Sequence, residues 1–234
     1  ATIEAAVEEG RGVYDNITKF ITWTLPTNLG EGLVILTAIL LGVTLPVLPV
    51  QVLWINMTTA LLLGLMLVFE PNEPGIMHRT PRDPDQPILT RVLGERILLV
   101  SVLMLIGAFG LFEYELASGA TVAEARTVAV NVFVLVETAY LVNCRSLTKS
   151  VLQIGVFTNP PLLLGMAGMV GLQVVFTYVP FFHLVFESAP IDLASWGRIV
   201  AVAVIVALVV ASEKSMRRRV AERRSSATLR PGVR

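Results

Sequence analysis

The sequence has a single cysteine, Cys144, among its 234 residues. An intramolecular disulfide is therefore impossible, and a metal–thiolate cluster cannot form. Charged residues are also scarce at 15%, whereas hydrophobic residues make up 54% and the mean hydropathy is +0.72. So much apolar surface cannot be buried inside a soluble core of this size. The composition predicts a polytopic membrane protein whose surroundings are the lipid bilayer, with no nucleic-acid partner.

A signal peptide and an internal repeat are also missing. Glu4, Glu8 and Glu9 make the start acidic, and the apolar run that follows is too long for a signal sequence. Without an internal repeat, the inverted-repeat architecture of many secondary transporters is not supported. The first residue is Ala1 rather than Met, which suggests a piece of a longer chain.

Six apolar segments predict six membrane-spanning helices and an all-α fold. They cover approximately residues 20–44, 50–69, 95–113, 127–144, 160–179 and 196–212. The polar start carries apolar residues at helical spacing, so we expect a stalk helix that continues into the first span. The predicted parts are a cytoplasmic stalk at 1–19, a transport domain at 20–212 and a basic cytoplasmic tail at 213–234.

Lys and Arg are distributed unevenly between the two sides of these spans. Sixteen of the 18 basic residues lie on one side, and only Arg126 and Arg198 lie on the other. By the positive-inside rule the basic side is cytoplasmic. Both termini are therefore predicted to lie in the cytoplasm, as part of a multi-pass protein of the cell membrane.

The connecting loops differ in composition. The loop at 70–87 is rich in proline, so we expect an extended, non-helical connector; its prolines are Pro71, Pro74, Pro81, Pro84 and Pro87. The loops at 114–125 and 180–195 are short, and no folded extracytoplasmic domain fits in them. Glu113 and Glu115, at the end of the third span, are expected to be solvated.

Polar residues interrupt the apolar spans at one shared depth. Glu31 is midway along the first span, Thr59 midway along the second, and Glu137 near the middle of the fourth. Asn28 precedes Glu31 by three residues, and Asn56 precedes Thr59 by three, so each pair shares a helix face. A carboxylate at the bilayer centre costs at least ~2.5 kcal/mol, which marks such residues as part of an ion or substrate path.

The residue types at that depth suit a hard cation, such as calcium or sodium, or a proton relay. Pro26, Gly30 and Gly32 predict a broken helix with freed backbone oxygens beside Glu31. Because burial disfavours a charged carboxylate, Glu31 and Glu137 should each hold a proton until a cation displaces it. The alternative is that these polar residues only join helices through hydrogen bonds, worth about 0.6–2 kcal/mol each.

Several motifs, in order along positions 1–215, resemble the P-type cation ATPases of the calcium-pump branch. Residues 1–17 resemble the segment that leads from the phosphorylation domain into the fifth membrane helix, and Asn28-Leu-Gly-Glu31 resembles that helix's ion-binding motif. Residues 53–59 are similar to the sixth helix and residues 74–84 to the loop after it, while Val136-Glu137-Thr138 is similar to the eighth helix. The resemblance implies helices five to ten of a ten-helix transport domain.

The resemblance also implies a ligand set and a partner. Asn28, Glu31, Asn56, Thr59 and Glu137 would bind the transported cation. ATP and magnesium would act in domains that this sequence lacks, since it has neither an Asp-Lys-Thr-Gly motif nor the fourth-helix Pro-Glu-Gly segment. The chain alone is therefore not expected to hydrolyse ATP. Its partner would be the amino-terminal remainder of the pump: the phosphorylation, nucleotide and actuator domains with helices one to four.

One position departs from the calcium-pump pattern. Ala60 stands where those pumps have an aspartate directly after the threonine. The two acids that are left, Glu31 and Glu137, can neutralise one divalent ion, so a second calcium site and calcium itself stay open. Two other interpretations also stay open: a stand-alone six-helix carrier or channel not driven by ATP, and a membrane module that only associates with a partner.

Small residues in the fifth span suggest close helix packing. Gly165, Gly168 and Gly171 are spaced by three, which places them along one side of a helix and allows a neighbouring backbone to approach.

Overall fold

A computed structural model describes residues 2–73, 75–81, 88–146, 151–155 and 157–228. Within these ranges all regular elements are helical, which confirms the predicted all-α class. Six helices are long and apolar enough to cross a membrane, as predicted. Four of the basic residues used to orient the spans lie outside the described residues: Arg82, Lys149, Arg230 and Arg234.

The helices follow one another along the chain with short connections. They are α1 (Thr2–Leu41), α2 (Pro49–Thr59), α3 (Arg91–Ala117), α4 (Val122–Cys144), α5 (Val151–Ile154), α6 (Pro160–Tyr178), α7 (Pro180–Phe186) and α8 (Leu193–Thr228). The short helices α5 and α7 were not predicted.

The first helix is continuous from the polar start into the apolar span. Pro26 lies inside α1 without ending it, so the helix break predicted beside Glu31 is wrong. The helix ends at Leu41, three residues earlier than predicted, and Gly42 follows with a φ of 65°. That left-handed conformation is easily adopted by glycine and commonly terminates helices.

The second span has the predicted length but not the predicted uniform geometry. Regular helix α2 ends at Thr59, and a π turn (Ala60–Gly64) and a 3-10 segment (Leu65–Phe69) complete the crossing. Single π turns inside helices are rare and are often found at functional sites. The backbone irregularity therefore lies on the second span, next to Thr59, and not at Pro26.

A capping box explains why α4 is longer than its apolar core, and α8 is also longer than predicted. Thr121 accepts a hydrogen bond from the Glu124 amide (3.2 Å) while the Glu124 carboxylate accepts one from the Thr121 amide (2.7 Å), so α4 begins five residues before the predicted start. This reciprocal arrangement is a capping box. Helix α8 runs on to Thr228, so the predicted tail begins as helix, and its residues 229–234 lie outside the described residues.

The connector after the second span is not fully extended, which corrects the expectation from its prolines. Gly75 has a φ of 80° and leads into a 3-10 turn at Ile76–His78. The Arg11 guanidinium on α1 donates hydrogen bonds to the carbonyl oxygens of Ile76 (2.8 Å) and Arg79 (2.9 Å). The connector thus packs on the stalk part of α1. Pro74, Pro84 and Pro87 lie outside the described residues.

Helix α4 lies at the centre of the bundle. In its most apolar stretch 72% of the residues are buried, against 28–33% in the other five spans. It packs against α1, α3 and α8, and it also contacts α2 and α6. A polar side chain on α4 is therefore surrounded by protein, which matters for Glu137.

Of the three glycines on α6, only one meets a neighbouring backbone closely. A Cβ added to Gly165 would overlap the carbonyl oxygen of Leu62 in the π turn, whereas one on Gly168 would make ordinary contacts with the Leu62 side chain. A Cβ on Gly171 would meet no atom within 4 Å. The predicted close approach is therefore confirmed at Gly165 alone.

We expect Gly165→Ala to destabilise the membrane region by about 1–3 kcal/mol, because α6 must move away from the π turn. The buried thiol of Cys144 offers a readout, since it reacts with a fluorogenic maleimide only after unfolding. Thermal unfolding would be followed in full-length protein in which Cys144 is the only cysteine. Gly171→Ala is the matched control and should be neutral; equal melting temperatures for both variants would contradict the packing argument.

Candidate functional site

The carboxyl group of Glu31 is buried in the interior, with 3% of the residue exposed. Its Oε2 accepts a 2.6 Å hydrogen bond from the Asn56 amide nitrogen on α2. Its Oε1 is buried and has no hydrogen-bond donor among the described residues. A carboxylate with one oxygen unpaired is costly to bury, so this oxygen needs a proton or a cation.

Glu137 lies opposite Glu31 and is 1% exposed. Its carboxyl group lies close to the Thr59 hydroxyl and to the Glu31 carboxyl. Two ionised carboxylates can only accept hydrogen bonds. If one of them holds a proton, it can donate a hydrogen bond to the other. Three helices, α1, α2 and α4, thus bring two acids, an amide and a hydroxyl to one place.

Asn28 is not part of this buried group. Its side chain is exposed on a face of α1 that also exposes Leu25, Leu29 and Leu36. The three-residue spacing from Glu31 places the two residues about 60° apart around the helix, which is enough to put one inside and the other outside. Ala60 is exposed as well. The structure therefore brings together four of the five predicted ligands.

The backbone oxygens near Pro26 are used for helix packing. Proline has no amide hydrogen for the Thr22 carbonyl, and this oxygen instead accepts a hydrogen bond from the Tyr140 hydroxyl on α4 (2.9 Å). The Pro26 carbonyl accepts one from the Ser101 hydroxyl on α3 (2.8 Å). Neither oxygen is thus left without a donor.

Three residues that the sequence analysis missed hold the helices around the acid pair. The Trp23 indole on α1 donates to the backbone oxygen of Glu137 (3.0 Å), while Tyr140 and Ser101 make the two bonds to the α1 backbone. A Cβ on Gly30 would lie 2.9 Å from Met104 Cβ, so α1 and α3 touch at the level of Glu31. Of these three residues, Ser101 alone could have been recognised in the sequence as a helix contact, because it is a lone polar residue in an apolar span.

The donor set limits what the pair can bind. In the described part of the chain, no cluster of three or more His, Cys, Asp or Glu side chains is arranged to hold a metal ion. Glu31 and Glu137 can therefore neutralise a charge of two, and further oxygens must come from amides, hydroxyls or water. The pair is chemically suited to hold either protons or one hard cation.

The sequence analysis missed a third buried carboxylate, that of Glu70. Glu70, after the 3-10 segment, forms an ion pair with Arg145 at the end of α4 (2.9 Å), and Asn159 before α6 donates to it (2.8 Å). The Asn16 amide on α1 donates to the Glu70 backbone oxygen (3.0 Å). From its position in the sequence, Arg145 was interpreted only as a basic residue at the end of a span. In the structure, its ion pair with Glu70 and the bonds around it join α1, the second span, α4 and the start of α6 at one end of the bundle.

At the opposite end, Glu115 is not the solvated residue that was expected. It is buried and forms an ion pair with Arg198 on α8 (2.8 Å), whose guanidinium also lies over the Tyr114 ring. Glu113 is exposed, as expected. The acidic end of α3 therefore fixes α8, and the partners of Glu115 among the described residues are Ser195 and Arg198.

The bundle of six spanning helices around a buried acid pair is the architecture of an ion-transporting membrane region. The family described as "Cation transporting ATPase, C-terminus" matches residues 44–216. The chain therefore belongs to this family, the carboxy-terminal membrane region of the P-type cation-transporting ATPases.

Relatives of known name agree with this assignment. The "Probable cation-transporting ATPase F" of Mycobacterium tuberculosis is 61% identical over 213 residues, which are 91% of this chain and 24% of the relative. "Cation-transporting ATPase pma1" of Synechocystis is 42% identical over 84% of the chain and 22% of the relative. A "Calcium-transporting ATPase" of Bacillus subtilis is 32% identical over 94% of the chain and 25% of the relative. The chain spans about a quarter of the length of these relatives.

Proposed function

We propose that this chain forms the ion-binding, carboxy-terminal membrane half of an ATP-driven cation pump that exchanges its cation for protons. The observation that carries the proposal is the pairing of Glu31 with Glu137, each almost fully buried and contributed by a different helix. Helix packing alone needs no such pair, because neutral amides would join the helices without two buried charges.

We assign Glu31, Asn56, Thr59 and Glu137 as the inner ligands of the transported cation. In the proton-loaded form, the Asn56 amide nitrogen faces Glu31. A 180° turn of that amide would present its oxygen to a cation instead. Asn28 would complete the site from the exposed face of α1, where the remaining helices of a full-length pump would pack.

The number of carboxylates limits the total charge that the site can balance. Two carboxylates balance one calcium ion or two sodium ions, and Ala60 offers no third acid. We favour one calcium ion per cycle, since a relative of this chain carries the name of a calcium-transporting ATPase. Cation entry then expels the protons held by the acid pair.

The length of the relatives supports an energy source and a partner outside this chain. ATP and magnesium would act in the part of a full-length pump that this chain does not span, and this remainder would be its partner. We place the chain in the cell membrane with both termini in the cytoplasm, because the basic residues lie on that side. The stalk part of α1, bonded to the connector through Arg11, would carry the conformational change towards the acid pair.

Flux measurements on the full-length protein in liposomes test this function. We expect calcium to accumulate in the lumen when ATP and magnesium are added outside, while trapped pyranine reports that the lumen becomes alkaline. Sodium in place of calcium gives the comparison between ions. Flux without ATP would instead support a stand-alone carrier or channel, and no flux of either ion would contradict the transport function.

A further inference from the structure

The short helix α7 lies between the ends of two membrane spans and carries almost no charge. One residue separates α7 from the end of α6, and six residues separate it from the start of α8. Its sequence is Pro-Phe-Phe-His-Leu-Val-Phe, with His183 as the only ionisable residue. The His183 ring nitrogen Nε2 bonds to the backbone oxygen of Thr177 (2.9 Å), so even this polar group faces the protein.

One side of α7 packs on the bundle through aromatic rings. Phe182 and Phe186 contact Trp54 on α2 with ring centroids 5.3 and 5.2 Å away, and Phe186 also contacts Phe176 on α6 (5.5 Å). The Gln51 amide donates to the Phe186 backbone oxygen (2.8 Å). These contacts fix α7 rigidly against the same helix that carries Asn56 and Thr59.

The other side of α7 is apolar and bare. Phe181, Leu184 and Val185 share a helix face at spacings of three and four, and all three are exposed, Leu184 by 84%. None of them packs in the hydrophobic core of the described bundle. A water-soluble loop would place polar residues on such a face, so these side chains need an apolar environment.

The surroundings of α7 indicate the boundary of the bilayer. The Trp196 indole donates to the Tyr178 hydroxyl, which in turn donates to the Ile191 backbone oxygen (both 2.9 Å). Tyrosine and tryptophan at span ends are typical of the headgroup level. Charge returns just beyond α7: the next residue is Glu187, whose side chain is 69% exposed and forms an ion pair with Arg126 (3.4 Å).

We propose that Phe181, Leu184 and Val185 form a lipid-binding face that inserts α7 into the bilayer interface beside α6 and α8. The occupant is the phospholipid bilayer, because the neighbouring residues Val174 and Val179 before α7 and Leu193 after it are also exposed and apolar. Helices whose apolar face carries Phe and Leu lie in the plane of the interface with that face buried at the boundary of the acyl chains. Through Gln51 and Trp54, the inserted helix would hold the adjoining end of α2 at a fixed depth.

Site-directed spin labelling of the full-length protein in phospholipid vesicles tests this proposal. A nitroxide on Leu184→Cys should be accessible to oxygen, which concentrates in lipid, and shielded from water-soluble nickel-EDDA. The matched control is Ser118→Cys in the short turn between α3 and α4, which should show the opposite accessibilities. Both positions are exposed, so neither label displaces a packed side chain.

A second label on Phe181→Cys tests whether the result at Leu184 is only a local effect of that substitution. Its accessibilities to oxygen and to nickel-EDDA should match those of Leu184→Cys. Nickel access at both α7 positions equal to that at the control would place the helix in water and overturn the proposal. Protection from both reagents would show that protein covers the face, which would also overturn it. These outcomes do not depend on ion transport.

Discussion

Replacing Glu31 or Glu137 by glutamine in the full-length protein is expected to abolish cation-stimulated phosphorylation by ATP. Glutamine keeps the size of glutamate and most of its hydrogen bonds, so the change removes mainly one negative charge. Removing one carboxylate from a buried pair of a carboxylate and a cation costs about 3–5 kcal/mol, which corresponds to at least about a 100-fold loss in cation affinity. Phosphorylation would be measured over a series of calcium concentrations.

The two variants are compared with Glu113→Gln, which changes a glutamate of the same chain on the exposed end of α3. This control should keep the calcium dependence of the unmodified protein. The melting temperature, followed by the reactivity of the buried Cys144 thiol, serves as a test of folding. Normal calcium dependence in both Glu31→Gln and Glu137→Gln would reject the assignment of the site.

The depth argument explains why the acid pair was predictable from sequence. Glu31, Thr59 and Glu137 each lie near the middle of an apolar stretch, and helices that cross the same bilayer bring their midpoints to one level. Hydropathy also gave the number of spans, because every backbone polar group in lipid must be satisfied within helices. Both signals are local in the sequence, so they can be detected without any knowledge of tertiary contacts.

Features that depend on contacts between helices were not predictable. The π turn packs against Gly165 of α6, and its sequence, Ala-Leu-Leu-Leu-Gly, reads as ordinary helix. Spacing placed Asn28 beside Glu31, but which side of α1 is covered depends on the helices around it. The carbonyl of Thr22 was expected to be free, and only the fold shows that Tyr140 supplies its donor.

The ion pair between Glu70 and Arg145 is the second feature with a large expected effect. Both side chains are 2% exposed, and Arg145 also donates to the Gly155 backbone oxygen (3.1 Å) and the Thr158 hydroxyl (2.6 Å). With Asn159, these bonds connect the end of the second span, the end of α4 and the start of α6. Helix α4 also carries Glu137, so the same ion pair fixes one end of the helix that completes the acid pair.

We expect Arg145→Met to destabilise the membrane region by about 3–5 kcal/mol, because it leaves the Glu70 carboxylate buried without its cation. The melting temperature, followed by the reactivity of Cys144, should fall by ~10 °C. The double variant Glu70→Gln with Arg145→Met should recover much of this loss, since no buried charge is then left unpaired.

Arg91→Met is the control for removing an arginine: its side chain is 93% exposed beside Glu95, and its loss should leave the melting temperature unchanged. If the double variant melted no higher than Arg145→Met, the cost would lie in the bonds to Gly155 and Thr158, not in the unpaired Glu70. If Arg145→Met melted like Arg91→Met, the ion pair would not hold these helices together.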